Sequence, residues 1–82
     1  MTKVNLDLLA AMMIELGKGP LRRKGFQAVM QYKFEMPVSM FNTCLGFLRE
    51  KYWVGKEEGR TGAYRLTDRG FAFLEGWHRS RK

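Results

Sequence analysis

Leu6, Leu9, Ala10, Met13 and Leu16 recur at steps of three and four, the spacing that gathers side chains on one face of an α-helix. A first helix is therefore predicted over Leu6–Leu16. Asn5 stands before it, where a side-chain oxygen can accept from an unpaired backbone N–H. Gly17 is placed to end the helix in a left-handed cap. Met12 and Met13 cannot both face one side, which predicts one of them in a contact between subunits. Gly17-Lys18-Gly19-Pro20 is dense in breakers and predicts a turn, and Pro20-Leu21 a short extended link. A second helix is predicted from about Arg22 to Tyr32. Its inner stripe is Phe26, Val29 and Met30, extended by Lys33 or Phe34, and Gly25 weakens it slightly. Lys33 to Met36 reads as a linker. Pro37 suits the first turn of a third helix, where its missing N–H costs nothing.

That third helix is predicted from about Val38 to Lys51. Phe41, Cys44, Leu45 and Leu48 form its core stripe. The opposite face carries Ser39, Asn42, Thr43, Gly46, Arg49 and Glu50. The period then changes. Tyr52 to Lys56 is rich in strand formers, Glu57 to Gly62 reads as a hairpin loop, and Ala63 to Leu66 as the returning strand. Thr67 is a suitable N-cap for a last helix from Asp68 to about Arg79, with Phe71, Leu74 and Trp77 as its apolar stripe and Phe73 on the flank. The fold class predicted is α+β, in the order α-α-α-β-β-α with a two-stranded hairpin, as one domain over residues 1–82. A chain of this length buries only about 60% of the surface it exposes when unfolded, so its core must be efficient; 45% hydrophobic and 13% aromatic residues suffice for one.

Charge narrows the function. Fifteen Lys and Arg face eight Asp and Glu, a formal net charge of +7, and the pI is near 10.0. A domain this basic fits a nucleic-acid partner, although charge alone also fits an anionic membrane or plain solubility. The first helix has only Asp7 and Glu15 as charges and no basic face, which argues against a membrane surface. The longest apolar run, Leu8 to Ile14, is far short of a bilayer span. No signal-peptide pattern opens the chain. A single cysteine, Cys44, excludes an internal disulfide and suits the cytoplasm. His78 is the only histidine, so no cluster of metal ligands is visible, and no phosphate-cradling glycine loop occurs. The expectation is a protein that is not an enzyme and carries no cofactor.

Two stretches carry a family resemblance. Phe47-Leu48-Arg49-Glu50-Lys51-Tyr52-Trp53-Val54 runs from the third helix into the hairpin, and Tyr64-Arg65-Leu66-Thr67-Asp68-Arg69-Gly70 leaves it. With the element order they resemble the winged helix-turn-helix family, in particular PadR-like and MarR-like regulators and small archaeal and archaeal-virus proteins. The resemblance covers nearly the whole chain. Its Tyr-x-Leu-Thr-x-x-Gly pattern reports fold rather than function: Leu66 faces the core, Thr67 caps the next helix, and Gly70 lets that helix pass close to the sheet. The chain departs from its relatives in two places. Many have glycine where Tyr52 or Trp53 stands, and here the hairpin opens with Glu57-Glu58.

The resemblance implies a double-stranded DNA-binding transcriptional regulator, with the third helix in the major groove. Ser39, Asn42 and Thr43 are the implied base contacts. Asn can pair with adenine, and Ser or Thr can serve any base; for Ser39, helix capping is the alternative role. Phosphate contacts are expected from Arg22, Arg23 and Lys24, of which at most two can face DNA together, from Arg49, and from Lys56 and Arg60 in the hairpin with Thr61 beside them. Glu57 and Glu58 must turn away or pair with Arg60 or Arg65. Trp53 and Tyr64 could stack on single-stranded bases but are better placed for packing, as is Cys44. A homodimer through the first and last helices is expected, using Met12, Phe73 and Trp77. The alternatives are a protein-interaction adaptor in a transcription or replication complex, and an RNA-binding relative of the same fold.

Overall fold

A computed structural model describes residues 5–57 and 62–80. The elements run α1 (Leu6–Gly17), α2 (Arg23–Phe34), α3 (Val38–Glu50), β1 (Val54–Lys56), β2 (Tyr64–Leu66) and α4 (Asp68–Ser80). The described chain is thus α+β, four helices and a two-stranded antiparallel hairpin. β1 and β2 pair in the register Val54↔Leu66, Gly55↔Arg65 and Lys56↔Tyr64.

α1 starts at Asn5, whose Oδ1 accepts from the backbone N–H of Asp7 at 2.8 Å and of Leu8 at 3.4 Å. The helix runs through the middle of the fold, touching α2, α3, α4 and β2. Met12 and Met13 are accordingly both fully buried. The expectation that one of them lies between subunits is corrected: a helix covered on more than one side buries both neighbours, although Leu6 at its start stays open. Gly17 is the last helical residue and not a left-handed cap. Lys18 follows in right-handed geometry, and the chain turns at Gly19, whose φ of 155° suits glycine.

α2 extends two residues beyond its predicted end, through Lys33 and Phe34, into the expected linker. Glu35 stops it at φ 51° and ψ 37°, donating its N–H to Gln31 O at 3.0 Å, and Met36 then returns to the core. Phe26 and Met30 are its buried residues, while Lys33 and Phe34 are exposed. On α3 the buried residues are Phe41, Cys44, Leu45 and Leu48. Phe26 and Phe41 meet edge-on at 5.1 Å and lock α2 to α3. Such a pair adds about 0.5–1.5 kcal/mol to what area burial supplies.

Leu21 exchanges backbone bonds with Tyr64 at 3.0 and 2.8 Å, tying the α1–α2 link to β2. Thr67 caps α4, its Oγ1 accepting from Gly70 N at 3.1 Å and donating to Tyr52 O at 2.5 Å. Gly70 sits where a Cβ would lie 2.3 Å from Trp53 O and 2.6 Å from a Leu66 methyl. This contact fixes the inner line of α4 at Gly70, Leu74 and half-buried Trp77. Phe71, expected on that stripe, is rotated off it and is 52% exposed. Phe73 takes its place, stacking on Trp53 at 4.0 Å. Among the described residues no helix is long and apolar enough to cross a membrane.

Candidate nucleic-acid interface

Burying Phe41, Cys44, Leu45 and Leu48 turns the other side of α3 outward. Ser39, Asn42, Thr43, Gly46, Arg49 and Glu50 are all exposed. α3 follows Pro37 with no side-chain cap bond and no acidic residue in its first turn. Ser39 therefore does not cap the helix, which leaves its hydroxyl free of that role. Thr43 spends its hydroxyl proton inside the helix, donating to Ser39 O at 3.0 Å, so its oxygen can only accept from outside.

α2 opens in the same way. Arg22 is its N-cap residue, makes no side-chain cap bond, and is followed by Arg23 and Lys24 with no acid in the first turn. All three are exposed. Cations at the positive end of a helix dipole are unfavourable unless an anion joins them. α1 and α4 differ: each has a side-chain cap and an aspartate, Asp7 or Asp68, in its first turn.

Two predicted site residues come together across the α2–α3 turn. An Arg23 guanidinium nitrogen donates to Asn42 Oδ1. The same guanidinium lies 6.0 Å from the centre of the Phe41 ring, so packing and a hydrogen bond both hold it. Arg49 and Lys56 also converge, at 5.7 and 6.0 Å from the Tyr64 ring centre. Tyr64 is buried, and Trp53 is half-buried with Phe73 stacked on it; these positions make both rings packing elements. Arg60, Thr61 and Glu58 lie outside the described residues.

Asn42, Thr43, Gly46, Phe47 and Glu50 line a shallow depression on the outer side of α3. Phe47, which opens the first of the two resembling stretches, has no binding role expected from the sequence. It lies four residues beyond Thr43, on the polar side, and leans on Trp53 at 6.1 Å between ring centres. Lys51, 5.5 Å from the Phe47 ring, and Arg69, 5.8 Å from the Tyr52 ring, are further cations near the α3–hairpin turn. An aromatic among polar positions was the signal for Phe47; nothing local marks Lys51 or Arg69.

No family model, curated protein or solved structure matches this chain.

The arrangement of its own side chains must therefore carry the functional reading. Among the described residues, no three His, Cys, Asp or Glu side chains gather to hold a metal ion. Burial pushes the Cys44 thiol up, which disfavours the nucleophilic thiolate. Among the described residues Glu15, on α1, is the buried acid. Burial alone would raise its carboxyl. Hydrogen bonds and charge from Lys18 and Lys33 outweigh that and hold it below the usual carboxylate range, with Nζ–O distances of 3.1 and 3.2 Å. Lys33, expected as a possible inner-stripe residue, instead braces α2 against α1.

Proposed function

We propose that this chain is a winged-helix protein that binds double-stranded DNA in a sequence-dependent way and regulates transcription. The observation that carries the reading is the bare outer side of α3, small and polar over its first two turns, next to the exposed basic start of α2. In this reading α3 enters the major groove. Ser39, Asn42 and Thr43 face base edges with Arg23 beside Asn42, and Arg22 or Lys24, together with Arg49 and Lys56, meets phosphates. The hairpin after α3 is the wing, with Arg60 in its loop. The Leu21–Tyr64 bridge supports the assignment, because it adds an extended segment beside the hairpin.

A homodimer through α1 and α4 is part of the proposal. Met12 is unavailable to it, being fully buried. Leu6 and Phe71, at 49% and 52% exposure, are the open apolar residues on those helices, and half-buried Phe73 and Trp77 flank them. The test is a shift assay on random and genomic duplexes, titrated with salt. Neutralised phosphates release counterions, so affinity is expected to fall steeply as salt rises. Absence of retardation at low salt overturns the reading. A protein partner is the second reading, favoured by Tyr32 at 89% exposure with Phe34 and Val38 also open around the α2–α3 turn. Specific capture of a partner that Tyr32→Ser abolishes, without DNA retardation, would decide for it.

A further inference from the structure

We infer that the Arg23–Asn42 pair selects guanine, not adenine, at the base it faces. The inference rests on the DNA-binding reading and specifies what the site recognises. A guanidinium has donors only, so the Asn42 atom bonded to Arg23 must be Oδ1. The orientation of the carboxamide is thereby fixed by chemistry. Its Nδ2 amino group, with two N–H donors, is the end left for a ligand.

Asparagine pairs with adenine by donating to N7 and accepting from the N6 amino group through Oδ1. Here Oδ1 already accepts from a cation. Its remaining lone pair lies beside a positive charge that repels incoming amino hydrogens. Cytosine fails for the same reason, since its major-groove edge offers an N4 amino donor. Guanine presents N7 and O6, both acceptors, and matches a surface of Nδ2 hydrogens and unused guanidinium hydrogens. Thymine offers O4 alone, and its methyl group occupies the neighbouring position.

The pair is held in place from below. Phe41, fully buried, supports the guanidinium, and the Phe26–Phe41 contact fixes α2 against α3. Among the described residues Arg23 has no carboxylate partner, so its charge stays available to the acceptor edge. Arg23 is then a specificity residue acting partly through Asn42, and one of its neighbours Arg22 and Lys24 serves phosphate.

The experiment is selection of the full chain on a randomised duplex library, followed by anisotropy titrations on matched duplexes carrying G or A at the selected position. Wild type is expected to enrich guanine and to prefer it over adenine by roughly 5- to 150-fold, the range for one good bidentate contact. Asn42→Ala should weaken the preference, leaving the part that the Arg23 guanidinium supplies by itself. Arg23→Ala frees Oδ1 and should move the preference towards adenine, whereas Arg23→Lys, still a donor-only cation, should keep guanine. Wild-type enrichment of adenine at the position whose preference Asn42→Ala changes overturns the inference. So does an unchanged G-to-A ratio in Arg23→Ala of wild-type helix content. Binding with no base preference overturns the inference alone; no binding at low salt removes the DNA reading and this inference together.

Discussion

Glu35 and Tyr52 are the described non-glycine residues with left-handed backbones, at φ 51° and 60°, and each ends a helix. That geometry costs a residue bearing a Cβ about 1–2 kcal/mol. Tyr52 stands where the resembled family commonly places glycine, and its surroundings offset the cost. Its carbonyl accepts from Thr67, its N–H donates to Arg49 O at 3.0 Å, and Arg69 sits over its ring. Glu35 has no side-chain partner of this kind among the described residues. Glu35→Gly should therefore stabilise the protein by about 0.5–1 kcal/mol, after the entropy glycine loses on folding, and raise Tm by about 4 °C. Tyr52→Gly should come out near neutral, because it relieves strain and discards the Arg69 contact together. Thermal melts of the two variants side by side separate these outcomes. Gly70 is the opposite case. A methyl there meets the Trp53 carbonyl, which is backbone and cannot swing aside. Gly70→Ala should lose about 1–3 kcal/mol, the usual cost of overpacking, read as a lower denaturation midpoint at unchanged slope.

Among the elements, α1 and α4 are closed by caps and acids at their N-termini, whereas α2 and α3 have neither, and α2 starts with basic residues. The first pair holds the fold and the second forms the candidate interface. α2 stays in place partly through Glu15, which receives Lys33 across the helices and Lys18 along its own. The folded Glu15 carboxyl titrates below its ordinary value. Its ionised form is thus favoured by folding, and that contribution is complete above the unfolded value of about 4.3 and fades as pH falls through the folded one. Glu15→Gln should melt lower than wild type at pH 7, and the two curves should converge in acid; a constant gap down to pH 2 would refute the coupling. The α3 stripe was legible because its period of three and four survives burial on one side. The fate of Met12 was not, since a helix wrapped by four neighbours obeys no single stripe. Phe71 misled because the face of α4 is set by the close approach at Gly70, a tertiary fact. Asn42 and Arg23 were each legible as polar or basic surface residues. Their bond was not, because it spans nineteen positions and depends on how Phe26 meets Phe41.

At the level of the whole molecule, a charge of +7 can serve DNA only if enough of it lies on one side. α4 packs on α1 and β2, while α3 meets α1, α2 and β1, so a dimer seam on α1 and α4 leaves the outer side of α3 free. Phe71→Glu tests this arrangement without disturbing the core, because half of that side chain is already in water. If two chains associate there, light scattering should show the mass fall from dimer to monomer. The salt response should change with it. In the proposed complex three cations per subunit meet phosphates, Arg49, Lys56 and one of Arg22 and Lys24, which would give a slope of log K against log salt of about −3 for one chain and about −5 for two. Apparent affinity should drop by about 100-fold or more, since the second half-site is no longer bound by a tethered partner. A wild-type protein that is already monomeric, with a slope that Phe71→Glu leaves unchanged, would refute the dimer and leave the proposed groove entry of α3 to stand on its own measurement.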